Sequence, residues 1–359
     1  MSQNLLFTND VATALGNLVK DAAPATIHVI ADENTARLVV PRLGLPASAD
    51  LITIPAGDDA KNLDTLASIW GHLVDNGATR RSLTVNVGGG MVTDIGGMAA
   101  ATFKRGMRFI NLPTTLLGAV DAAVGGKTGI NFRGLKNEIG VFAPADAVIV
   151  STRFFVTLPM HELLSGYAEM IKHALLTDGR EYRRLIGTDV SLTDAAGLLP
   201  MLRDSVMIKK RIVDEDPCEK GVRRALNLGH TVGHALESFS HECRSPLPHG
   251  YAVAYGLLAE MIISHIELGF PSSALHEMGA FLKKTYTASS LGIPVQPLPA
   301  ISCDDYDRLI DLMSHDKKNA TSNDINFTLL EAPGRPVIDR TATPATIVAA
   351  LDILRDMTS

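Results

Sequence analysis

The first 150 residues alternate short apolar runs with stretches of helical spacing, and few folds accommodate that rhythm. "TIHVIAD" (26–32), "LITIPAG" (51–57), "LTVNVGGG" (83–90), "RFINLPT" (108–114) and "AVIV" (147–150) have the length and β-branched content of strands. Between them, "TLASIWGHLVDNG" (65–77) and "DIGGMAAATFKRG" (94–106) repeat apolar residues at helical spacing. Strands separated by helices pair in parallel, so an α/β, Rossmann-like parallel sheet covered by helices is expected. Ligands bind such sheets at the carboxyl ends of the strands. After about residue 155 the pattern becomes almost wholly helical, in "MHELLSGYAEMIKHALL", "LLPMLRDSVMIKKRIVDED", "LNLGHTVGHALESF" and the 251–269 run. The reading is therefore an α/β domain over 1–155 and a mainly α-helical domain over 156–359, with a cleft expected near the joint at 150–160.

A chain of 359 residues with 33 basic and 39 acidic side chains is mildly negative, which argues against a general nucleic-acid binder. Cys218, Cys243 and Cys303 match neither a disulfide framework nor a paired metal-binding spacing, as suits a reducing compartment. No basic segment leads into an apolar one at the N-terminus, so no signal peptide is expected. The longest apolar stretch, "YAVAYGLLAEMIISHIELGF", carries Glu260, His265 and Glu267 and reads as a buried helix, not a membrane span. The cytoplasm is the expected location.

Two glycine loops are candidates for binding an anion. "VNVGGGMVTDIGG" follows a strand and opens a helix, so backbone N–H groups near residues 88–90 are placed to meet a phosphate. It is not the GxGxxG fingerprint, and a tight turn explains it equally well. "DAAVGGKTG" fails as a P-loop because Asp121 stands where the first glycine belongs. What remains is Lys127 beside a Gly-Gly turn, with Lys136 and Asn137 following: a solvated basic loop, or an anion clamp of Lys127, Asn137 and Arg105.

In "LNLGHTVGHALESFS" (226–240), His230 and His234 lie four apart and share a helical face. Each follows a glycine, and a helix-interior glycine costs about 1 kcal/mol against alanine, so close packing or a close ligand is expected. Glu169 and Lys172 share another helical face, and His249 precedes a third helix. One carboxylate and two imidazoles make an open three-ligand site that suits zinc, cobalt or iron.

Together these segments resemble the 3-dehydroquinate synthase family. The resemblance runs from "GDDAK" (57–61) to "DKKN" (316–319). It rests on "GGGMVTDIGG", "ATFKRGMRFINLPTTLL", "VDAAVGGKTGIN", "KNEIGVF", "TLPMHELLSGYAEMIKHAL" and "GVRRALNLGHTVGHALE". It implies cyclisation of 3-deoxy-D-arabino-heptulosonate 7-phosphate, with NAD and Zn²⁺ or Co²⁺ as cofactors, in a homodimer. Glu169, His230 and His249 then resemble the metal ligands, and His234 a pocket histidine for substrate binding or proton transfer. Lys127, Asn137 and Arg105, the last reaching in from a neighbouring subunit, resemble the phosphate set, joined by Lys317 or Lys318. Lys209 and Arg223 match the residues that hold the substrate carboxylate. Asp121, Lys172 and Asn227 match those facing its hydroxyls, and Glu219 a proton acceptor. For NAD the matching positions are Asp32, Asp58, Lys61, Gly89, Gly90, Asp94, Thr114, Thr115, Lys136, Phe154, Thr157, Leu158 and Glu162.

The chemistry that the family implies is a loan of hydride. NAD oxidises the substrate, phosphate leaves by β-elimination, the hydride returns, and an aldol step closes the ring, so NAD is not consumed. The chain departs from the family pattern at Asp58, at Ala122 and Ala123 where serines are common, and at Tyr251, where the third-ligand segment reads HGYAV instead of HGEAV. Relatives that cyclise other sugar phosphates act on substrates without the carboxylate, which would leave Lys209 and Arg223 unpartnered. A glycerol dehydrogenase-type enzyme would need no phosphate clamp, and a catalytically dead scaffold no metal ligands.

Overall fold

The computed structural model describes residues 3–133, 135–286, 301–315 and 325–358. The chain divides into two compact units, Met1–Pro159 with Thr193–Lys210, and Met160–Leu192 with Arg211–Ser359. The first begins β1 (Asn4–Phe7), α1 (Val11–Ala22), β2 (Ile27–Asp32), α2 (Glu33–Leu38), β3 (Asp50–Ile54), α3 (Leu63–Asp75), β4 (Leu83–Gly88) and α4 (Gly90–Thr102). It continues through β5 (Arg108–Pro113), β6 (Lys127–Phe132), β7 (Leu135–Phe142) and β8 (Ala147–Val150).

Six of these strands form one parallel sheet in the order β1-β8-β5-β4-β2-β3. Every residue of β2, β4 and β8 is buried, because helices cover both faces. Successive side chains feed opposite layers: Val29 and Ala31 join Val11 and Leu15 of α1, whereas Ile30 joins Leu66 and Ile69 of α3 and Ile95 of α4. Helix starts are fixed by short polar side chains. Asp10 accepts from the Thr13 N–H, Asp32 from those of Asn34 and Thr35, and Asn62 from that of Thr65.

The five strands read from the sequence are all in this sheet. β1 was not expected; a four-residue edge strand is too short to display a period. The basic loop around Lys127 is instead an antiparallel hairpin, β6 with β7. Lys127 opens β6 directly after the turn at Gly125 and Gly126, and β7 is exposed along its whole length, so it has no apolar alternation to read.

The remaining helices are α5 (Met160–Leu175), α6 (Gly179–Ile186), α7 (Ala195–Glu215, mostly in the first unit), α8 (His230–Glu242), α9 (His249–Leu268), α10 (Ser272–Thr285) and α11 (Tyr306–Ser314). An unexpected hairpin, β9 (Asn326–Ala332) with β10 (Arg335–Thr341), turns at Pro333-Gly334 before α12 (Pro344–Thr358). In the second unit α9 packs against both α5 and α8. Among the described residues α9 alone is long and apolar enough to cross a membrane, and 78% of that window is buried inside the fold.

The reading of Gly229 as helix-interior is corrected. Residues 222–227 form a 3-10 turn, α8 starts only at His230, and Gly229 is its N-cap in the left-handed region at φ 78°. A Cβ there would also lie 2.7 Å from the Leu257 side chain. Conformation and space both require glycine at that point.

Candidate active site

In the second unit three helices bring one side chain each to a common point. Glu169 comes from the middle of α5, His230 from the first position of α8 and His249 from the first position of α9. Their ligand atoms all lie within 4.8 Å of one another. Nε2 of His230 and Nε2 of His249 are each 3.5 Å from the same oxygen, Oε1 of Glu169. That oxygen is fully buried and accepts no hydrogen bond. The other imidazole nitrogens face acceptors: Nδ1 of His230 is 3.1 Å from the Leu228 carbonyl and Nδ1 of His249 is 3.0 Å from Oε2 of Glu237. Both rings thus direct Nε2 inward, the arrangement of histidine ligands held by outer-shell acceptors. A buried acceptor without a donor, ringed by two aimed nitrogens, fits a divalent cation with open positions for substrate.

The charges of this cluster are set locally. Burial pushes the Glu169 carboxyl up, but the Lys172 ammonium, then the two imidazoles, outweigh it and hold it well below the ordinary value. Lys172 forms a buried ion pair with Glu169 one helical turn away. Burial pulls the His249 imidazole down, yet the Glu237 and Glu169 carboxylates raise it to about 10. His234 completes the ring of imidazoles, its centroid 5.2 Å from that of His230 and 5.9 Å from that of His249.

The first unit offers a separate set at the carboxyl ends of its strands. β2 leads to β3 on one side while β4 lies on the other, so the sheet has its switch point between β2 and β4. Asp32 ends β2, and Gly89 and Gly90 open α4 directly after β4. Thr114 and Thr115 follow β5, the Thr114 N–H bonding to the Gly88 carbonyl at 2.9 Å. Lys61 is buried and donates to Asp94 at 2.6 Å and to the Asn137 side-chain oxygen. Burial raises the Asp94 carboxyl despite Lys61. Asp58 lies in an exposed turn with Asn131 at 3.2 Å and Lys136 at 3.7 Å. Phe154 and Thr157 belong to the 3-10 turn after β8, capped by Leu158.

Family comparison matches both halves of the chain. The model described as 3-dehydroquinate synthase N-terminal covers residues 51–165, and the one described as 3-dehydroquinate synthase C-terminal covers 166–319. A 3-dehydroquinate synthase of Parabacteroides distasonis is 43% identical over 357 residues, 99% of this chain and 98% of that one. The chain belongs to the 3-dehydroquinate synthase family. Its fold is also that of two solved enzymes of other names. One is a 2-deoxy-scyllo-inosose synthase complexed with carbaglucose-6-phosphate, NAD⁺ and Co²⁺ (TM-score 0.84, 22% identity, 99% of this chain and 96% of that one). The other is a 2-epi-5-epi-valiolone synthase from Streptomyces hygroscopicus with NAD⁺ and Zn²⁺ bound (TM-score 0.83, 24% identity, 99% and 97%).

The other positions that resemble functional residues of the 3-dehydroquinate synthase family are placed as follows. In the first unit Lys209 donates to the Asp121 carbonyl at 2.6 Å and pairs with its carboxylate. Arg105 sits at positive φ in the turn after α4, and Asn137 at positive φ on β7. In the second unit Arg223 is buried and donates to the Pro217 carbonyl at 2.7 Å, while Asn227 donates to Glu219 at 3.3 Å. Glu162 is half-buried on the first turn of α5. Lys317 and Lys318 lie outside the described residues.

Sequence reading passed over Glu237 and Glu260. Glu237 stands seven residues after His230 and three after His234, on the same face of α8, which is a legible spacing. Glu260 served only to argue against a membrane span. In the structure it is fully buried and accepts from three backbone N–H groups, those of Gly229 at 2.6 Å, Thr231 at 2.9 Å and Val232 at 3.1 Å.

Proposed function

We propose that the chain converts 3-deoxy-D-arabino-heptulosonate 7-phosphate to 3-dehydroquinate and phosphate, a phosphate-eliminating cyclisation that borrows and returns one hydride. The observation that carries this reading is 43% identity to a curated 3-dehydroquinate synthase over 99% of the chain. The cluster of Glu169, His230 and His249 supports it.

Glu169, His230 and His249 would hold Zn²⁺ or Co²⁺, which supplies Lewis-acid polarisation of a substrate oxygen. NAD would sit at the carboxyl ends of β2, β4 and β5, with Gly89 and Gly90 at the helix start offering N–H groups to its pyrophosphate. Asp32, Asp58, Lys61, Asp94, Thr114, Thr115, Lys136, Phe154, Thr157, Leu158 and Glu162 complete the proposed cofactor set. Lys127 and Arg105 neutralise the departing phosphate, together with Lys317 or Lys318, and Asn137 donates a hydrogen bond to it. Lys209 and Arg223 hold the substrate carboxylate. Asp121, Lys172 and Asn227 face its hydroxyls. His234 and Glu219 move protons. The protein acts as a homodimer in which Arg105 serves the neighbouring subunit, and it works in the cytoplasm, where three exposed free thiols stay reduced. Its ligands are small molecules; nucleic acid and membrane are not among them.

The test is phosphate release from the heptulosonate phosphate with NAD and Zn²⁺, before and after chelation. Chelator-sensitive release, with dehydroquinate formed and no net NADH, is the expected result. No release from folded, metal-loaded protein would reassign it to another sugar phosphate, with heptulose and hexose phosphates tested next.

A further inference from the structure

α8 and α9 each carry one proposed metal ligand, and each also carries a buried carboxylate directed at the other helix. Glu237 on α8 accepts from Nδ1 of His249, the first residue of α9. Glu260 on α9 accepts from the N–H groups of Gly229, Thr231 and Val232, which flank His230 at the start of α8. The second contact replaces something the sequence of α8 cannot supply. A helix start leaves several N–H groups without intrahelical partners, usually met by a serine, threonine, aspartate or asparagine at the N-cap. Here the N-cap is Gly229, held at positive φ with Leu257 where a side chain would go, and it makes no side-chain cap bond. A carboxylate from a different helix does the capping, so the start of α8 is fixed to α9 rather than to its own loop.

We propose that Glu237 and Glu260 are reciprocal positioning residues of the metal centre, each carboxylate fixing the ligand that stands on the other's helix. The inference rests on the assignment of Glu169, His230 and His249 as a metal site. Glu237 sets the tautomer and direction of His249, so that Nε2 faces the cation. Glu260 sets the backbone position of His230, whose ring starts from the first residue of the capped turn. Neither carboxylate lies in the ligand cluster itself.

The experiment compares Glu237→Gln and Glu260→Gln with the parent protein. It measures the Zn²⁺ dissociation constant by chelator competition, the visible spectrum of the Co²⁺ form, and the thermal midpoint without metal. Each variant is expected to bind Zn²⁺ about 10–100-fold more weakly and to shift the Co²⁺ bands. Should Glu260→Gln not fold, Glu260→Asp, which keeps the charge on a shorter stem, takes its place. Parent-like affinity and Co²⁺ spectrum in both variants would overturn the proposal, as would a lowered thermal midpoint with unchanged affinity. A parent protein that binds no Zn²⁺ overturns the metal assignment first, before any variant is compared.

Discussion

Nε2 of His230, on the first turn of α8, lies 3.5 Å from Oε1 of Glu169 in the middle of α5. These groups are separated by 61 positions in the chain and meet at a carboxylate oxygen that has no hydrogen-bond donor. A cation between them would satisfy that oxygen. Replacing one of three ligands should therefore empty the site. His230→Ala is expected to lower metal retention at least about 100-fold, since outer-shell changes alone cost 10–100-fold. Activity should fall to background. Metal content after desalting checks it; a fully loaded and active variant would remove His230 from the centre.

Metal uptake should release a proton. In the metal-free protein His249 is raised to about 10 by Glu237 and Glu169 against the pull of burial, so it is protonated at neutral pH. The sign follows from that direction: its contribution to metal-free stability is complete below 6.5, its ordinary value, and is lost as pH rises through about 10. A cation must displace that proton, so apparent affinity should rise about tenfold per pH unit between neutrality and 9. Chelator competition at several pH values measures the slope. A flat profile would mean that His249 is already neutral.

Gly250 is the point where α9 meets α5. A Cβ at this residue would lie 1.8 Å from the Ser165 carbonyl oxygen, which is backbone and cannot rotate away. Gly250→Ala should force the two helices apart, costing about 3 kcal/mol, the upper range for overpacking. Because His249 and Glu169 stand on those helices, metal affinity should fall as well. Urea denaturation of the metal-free protein reports the first effect, and chelator competition the second. Unchanged values for both would show that the contact relaxes freely.

The lower edge of the sheet holds a second set of charges. Asp50 at the start of β3 bonds through one oxygen to His28 of β2 at 2.9 Å and to His72 of α3 at 2.8 Å. Burial pushes the Asp50 carboxyl up, but these two hydrogen bonds outweigh it and leave the value lowered. A depressed carboxyl contributes stability above its unfolded value, and loses it as pH falls through the folded one. Asp50→Asn should cost about 1.5–3 kcal/mol at neutral pH, the scale of a hydrogen bond to a charged group. The gap to the parent should narrow below about pH 4. Denaturant titrations at pH 7 and at acid pH test this, and an equal gap at both would exclude the titration of Asp50 as the cause.

Local pattern determined much of this protein. Apolar runs marked five of the six strands of the sheet, most clearly the four central ones, β8, β5, β4 and β2, because a strand covered on both faces must be largely apolar. Helical spacing marked α5, α8 and α9, and matched motifs singled out Glu169, His230 and His249 on them. Elements without a local period escaped notice. β1 has four residues, β7 faces solvent along its length, and the β9–β10 hairpin shows itself only by the Pro333-Gly334 turn.

Tertiary structure decided the rest. Gly229 looked like a costly interior glycine until the fold placed it at an N-cap, pressed on Leu257. Glu260 looked like an interruption of an apolar run until α8 crossed α9 and offered it three N–H groups. Spacing along one helix shows which residues share a face, since the period is fixed by the backbone. It carries no information about which face of another helix will lie opposite. The meaning of a buried carboxylate depends on that second fact, because the donors that stabilise it come from a distant part of the chain.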